Sequence, residues 1–151
     1  VFPQAAALSQ TLMQWDQQLE KLVSRLDSFE KNRTIQRDIQ EVPQAIAWLD
    51  KQHASEEDDQ IKTTMANTLI SYRTQQTQLD TLVSLMRRTE LEIDHTLSTM
   101  GTIYSQLQVI EAKEIDRTSV QRLSSNIQEE ANRLGDLLSA MDDVFQERLS
   151  S

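Results

Sequence analysis

Between Ile61 and Ile110 an apolar residue returns at every seventh position without a miss: Met65, Tyr72, Leu79, Met86, Ile93, Met100 and Leu107. Ile61, Leu82, Ile103 and Ile110 supply a companion position, and Leu69, Val83, Leu97 and Tyr104 widen the same face. A stripe of that width is one side of a continuous α-helix, broader than the seam of a two-stranded coiled coil. At the standard rise a helix from Glu56 to Glu114 runs roughly 85–90 Å. That is far more than the width of a compact domain of this size, so the rest of the chain, or a second copy of it, has to cover a long seam.

Two Gly and two Pro leave almost no turn chemistry for a β-rich fold. The expectation is therefore all-α: an elongated antiparallel helical hairpin or three-helix rod with coiled-coil-like packing, as a single domain over 1–151. Apolar residues at 38% suffice for an elongated bundle. The layout resembles three-helix rods of the spectrin kind in helix pattern alone, so no residue role carries over. The chain opens on Val1 rather than Met, as expected of a processed or excised piece.

Three helices are expected, over about 4–53, 56–114 and 119–149. In the first, Leu8, Leu12, Trp15, Leu19, Leu22, Leu26 and Phe29 alternate steps of four and three, which places Trp15 in the core. The apolar set then resumes one residue out of phase at Ile35, Ile39, Val42, Ile46 and Leu49. Either the helix stops near Lys31-Asn32 and restarts, or it runs on with altered winding. Pro43 adds a second disturbance, because it lacks a donor and its ring crowds the Ile39 carbonyl. It implies a kink around 38–43 or a new helix with Pro43 in its first turn. Ser55-Glu56-Glu57-Asp58-Asp59 reads as an N-cap serine followed by acids that favour a helix start. Thr118 with Gln121 reads as the capping box of the last helix, whose seam is Val120, Leu123, Ile127, Leu134, Leu137, Met141 and Val144. Thr68, Gln75, Thr89 and Thr96 place polar groups on the long seam. They are either layers that penalise wrong registers or positions only half covered.

Chemistry is sparse. Without cysteine there is no disulfide, thiolate nucleophile or thiolate metal site. Two carboxylate-x-x-His spacings exist, Asp50 with His53 and Glu92 with His95. Di-metal bundles need such pairs projecting inward, and His95 stands two positions past seam residue Ile93, which turns it outward. No Gly-rich phosphate loop or nucleophile elbow is present. No enzyme activity, metal or cofactor is therefore expected. A net charge of −9 disfavours nucleic acid and anionic membranes as partners, and no apolar run is long enough to span a bilayer. The functional expectation is a structural segment for oligomerisation or tethering through protein–protein contacts, with a helical sensor or transmission bundle of a larger membrane-associated protein as the alternative. The last helix covers only about half of the long one. Self-association as a dimer, or contact with other helical proteins, then falls to the end near the first reversal. Ile39, Ile46, Leu49, Met65, Leu69 and Tyr72 are the expected interface.

Overall fold

The computed structural model describes the backbone of residues 2–112 and 117–150, and the side chains of residues 8–108, 118 and 120–144. Among these residues the chain is all helix: α1 (Phe2–Lys31), α2 (Arg33–Ser55), α3 (Asp59–Ala112) and α4 (Arg117–Ser150). The long central helix is unbroken through Gly101, as the stripe requires.

The change of phase near residue 32 is a true break. Asn32 leaves the helix with φ −75° and ψ 102°, and its side chain accepts a hydrogen bond from the Ile35 amide. That is an N-cap, satisfying one of the donors a helix start leaves free. The Gln36 side-chain amide donates to the Phe29 carbonyl at 3.2 Å, tying the two helix ends together. Pro43 lies ten residues into α2, not in its first turn.

The first reversal is at Glu56–Asp58, and its cap is Asp58 rather than Ser55. Asp58 Oδ1 accepts from the Gln60 and Ile61 amides at 2.9 and 3.1 Å. Ser55 ends α2 and turns its hydroxyl back onto the Lys51 and Gln52 carbonyls. Thr118 is the second residue of α4, inside the helix and not ahead of it. The rest of the second reversal, residues 113–116, lies outside the described residues.

The chain divides into two compact units. Unit 1 is Val1–Leu26 with Arg87–Ser151, and within it three helices pack together. Gln18 meets Gly135, and seven residues further along both helices Arg25 bridges Asp142, so α1 and α4 run parallel. On α3 the order Thr89, Glu92, His95 meets Met141, Arg133 and Glu130, so α3 and α4 run antiparallel. The core is dense: Trp15, Leu22, Ile127, Leu134 and Met141 have no exposed surface. Burying a side chain of this size contributes about 1.5–3 kcal/mol.

Unit 2 is Asp27–Met86, in which α2 and the first part of α3 fold back on one another as a hairpin. Asp50 and Arg73 pair across it at 2.8 Å. Phe29, Ile35, Val42, Leu49, Leu69, Leu79, Leu82, Leu85 and Met86 are its buried residues. On α2 the buried positions recur every seven residues (Ile35, Val42, Leu49), and both flanks of that line are only half covered.

The expected width of the α3 stripe needs correction. Leu69 is buried, but Val83, Leu97 and Tyr104 are 40–55% exposed, and so is the companion residue Ile61. The Ile110 side chain lies outside the described residues. The polar seam positions split. Thr89 and Thr96 are fully buried layers of unit 1, whereas Thr68 and Gln75 in unit 2 are half covered.

Candidate functional site

Two helices can hide a stripe from each other only along their line of contact, so the flanks of each stay wet. Unit 2 shows this plainly. Between Asp58 and Gln78 Leu69 alone is buried on α3, while Lys62, Met65, Ala66, Thr68, Tyr72, Gln75 and Gln76 are half covered. Ile61 is 47% exposed and Trp48, just before buried Leu49, is 60% exposed.

A groove of about 470 Å³ opens on this surface, lined by Leu49, Gln60, Ile61, Thr64, Met65 and Thr68. Its hydroxyls are already partnered by their own helix: Thr64 donates to the Gln60 carbonyl at 3.1 Å and Thr68 to the Thr64 carbonyl at 2.8 Å. An apolar occupant therefore strands no hydroxyl there. Four acids, Glu56 to Asp59, directly precede its residues Gln60 and Ile61 in the chain. Asp58 is committed to capping, and Glu56 accepts from the Asp58 amide at 3.1 Å. Glu57 and Asp59 are exposed, with neither carboxylate engaged by another described residue.

Of the six residues expected at an interface, Leu49 and Met65 line the groove. Leu69 and Leu49 are buried within the hairpin itself, and Ile39, Ile46 and Tyr72 are half covered along it. Ile61, Thr64 and Gln60 belong to the surface as well. Ile61 was legible as a seam residue, but nothing in the spacing marks which seam residues a third helix fails to reach.

The two carboxylate–histidine spacings come to different ends. Asp50 is taken by Arg73, leaving His53 half covered. In unit 1, Glu92 faces Arg133 at 3.8 Å, and Glu130 faces both Arg133 at 3.5 Å and His95 at 3.6 Å. The Glu130 side chain is only 13% exposed, so a seam position occupied by a carboxylate is neutralised from the adjacent turn. His95 itself is 53% exposed. Among the described residues no group of three or more His, Cys, Asp or Glu is placed to hold a metal ion. No helix among them is long and apolar enough to cross a membrane.

Compared with known proteins, the chain matches no family model, no curated protein and no solved structure.

Proposed function

We propose that this chain is a structural helical segment that acts through protein–protein contacts, oligomerising or tethering, and that unit 2 supplies the contact surface. The observation that carries this reading is the thin cover of α3 beside the first reversal, where between Asp58 and Gln78 Leu69 alone is buried. The seam of unit 1 has a third helix over it and is fully buried at Trp15, Leu22, Ile127, Leu134 and Met141, although Leu97 and Tyr104 at the edge of its α3 stripe stay about half exposed. The seam of unit 2 has two helices and leaves Ile39, Ile46, Met65 and Tyr72 half covered and Ile61 exposed. Apolar side chains grouped this way on a hairpin, rather than scattered singly, mark an interaction surface. Seven-residue recurrence of the buried positions supports an elongated, coiled-coil-like packing as part of the same proposal.

Sedimentation equilibrium at micromolar concentration tests the oligomerising form. The expected result is a dimer that Ile39→Asp or Ile46→Asp dissociates while each variant keeps its helical circular dichroism. Leu69→Asp is unsuitable, because Leu69 belongs to the core of the hairpin. A monomer at all concentrations would remove self-association. A dimer indifferent to both substitutions would place the contact outside unit 2.

A further inference from the structure

A groove beside an acidic tip selects its occupant by charge as well as by shape. We infer that the groove of Leu49, Ile61, Met65 and Thr68 takes an amphipathic helix of a partner protein, apolar on one face and rich in Lys and Arg beside it. This rests on the reading of unit 2 as a contact surface and names the kind of partner.

Three features lead there. First, unit 2 lacks what α4 supplies to unit 1, a third helix laid along the seam of two others, and helix-in-groove docking is the recognition mode that provides one. Second, the lining suits aliphatic anchors. Leu49, Ile61 and Met65 are apolar, Met adapts to irregular partners, and the two threonine hydroxyls are already bonded within α3. Third, the exposed Glu57 and Asp59 come directly before Gln60 and Ile61 in the chain, and with Glu56 and Asp58 they outnumber the nearby Lys51 and Lys62. Cationic side chains next to the apolar face of the incoming helix meet those acids, which speeds encounter and fixes direction.

A second copy fits this groove poorly. The whole chain carries −9, so two copies repel over long range. The first turns of α2 and the end of α1 in unit 2 carry Asp27, Glu30, Asp38 and Glu41 against Lys31, Arg33 and Arg37, so they offer no net positive face to the tip. Lys31 and Arg37 are moreover paired with Asp27 and Glu41. Ile39 and Ile46 are not among the groove residues, so self-association through them is compatible with a different occupant here.

The test titrates the intact chain with three synthetic peptides of about 18 residues, long enough to form a helix on docking. One carries a Leu stripe flanked by Lys; one has the same composition shuffled to destroy the stripe; one replaces Lys by Glu. Calorimetry and Trp48 fluorescence read binding. The striped basic peptide is expected to bind, at least tenfold more tightly than either control. Ile61→Asn with Met65→Gln, which leaves the charge unchanged, should weaken it at least tenfold. Glu57→Gln with Asp59→Asn, both at exposed positions, should weaken it by about threefold to tenfold. Equal binding of the shuffled peptide, or a groove variant that binds as well as the parent, would reduce the effect to bulk charge and overturn the inference. Equal binding of the acidic peptide would overturn its electrostatic half. A dimer that sedimentation finds and that excludes the basic peptide from the groove would defeat this inference while leaving the contact-surface reading intact. A monomer that binds no peptide would remove both.

Discussion

The side-chain amide of Gln18 lies against Gly135: a Cβ on that glycine would stand 3.3 Å from Gln18 Nε2, across the parallel contact of α1 and α4. Gly101, the other glycine of the chain, would meet nothing within 4 Å. Both sit in helices, where glycine costs about 1 kcal/mol relative to alanine. Gly101→Ala is therefore expected to stabilise the chain by about 0.5–1 kcal/mol. Gly135→Ala should return less, because the Gln18 amide has to yield by a few tenths of an ångström. Urea denaturation of the two variants beside the parent decides it; a larger gain at Gly135 would mean that Gln18 does not hold this position.

The buried threonines separate in the same way. Thr89 donates to Met141 Sδ at 3.8 Å. The Thr96 hydroxyl is buried without a hydrogen-bond partner. A buried hydroxyl left unpaired costs about 1–3 kcal/mol, and valine has nearly the same shape without it. Thr96→Val is expected to stabilise unit 1 by about 1 kcal/mol, and Thr89→Val by less or not at all. Thermal melts of both variants test this, and equal shifts would show that the two layers are equivalent.

What could be read from the sequence depended on whether the deciding physics was local. Helix existence and the α3 stripe follow from periodicity, and Trp15 is buried where its seam position puts it. Asn32 carries a capping signal three residues before Ile35, whereas the change in apolar phase alone is compatible with either a break or altered winding. Ser55 and Asp58 are both competent caps. Which one caps α3 depends on where α2 stops, and Ser55 is occupied with its own helix. The exposure of Val83, Leu97 and Tyr104 depends on how many helices lie beside α3 and on which side, which periodicity does not encode. The same gap hid the groove, since Ile61 and Met65 look like Leu82 and Met86 until the neighbours are placed.

Arg133 stands between two carboxylates of the α3–α4 contact, Glu92 and Glu130, whose side chains are 27% and 13% exposed. Removing a shared counter-ion leaves two mostly covered charges facing each other, which costs more than losing an exposed pair. Arg133→Gln is expected to destabilise by about 1–2 kcal/mol, and adding Glu130→Gln should recover part of that loss. His95→Ala, at an exposed position 3.6 Å from Glu130, should change stability by less than about 0.5 kcal/mol at neutral pH. A double-mutant cycle in denaturant measures the coupling. A large loss at His95 would reveal a role for the imidazole that this geometry does not supply.

The two tryptophans report on the two units separately. Trp15 is wholly buried in unit 1, and Trp48 is 60% exposed in unit 2. In single-tryptophan variants made by Trp→Phe, acrylamide should quench Trp48 strongly and Trp15 hardly at all. Denaturation then ranks the units. A hairpin whose flanks are wet has less burial to set against the entropy of ordering its residues than a three-helix core. Segments with few buried apolar contacts are the ones that open first. The Trp48 signal should therefore change at lower urea than the Trp15 signal, and amides over 59–78 should exchange faster than those over 87–107. Coincident transitions for both probes would show that the continuous α3 couples the units into one cooperative whole. Adding the striped basic peptide extends the comparison, because a ligand bound only by the folded hairpin raises that unit's stability by mass action. The Trp48 transition should then move toward that of Trp15, which itself stays in place.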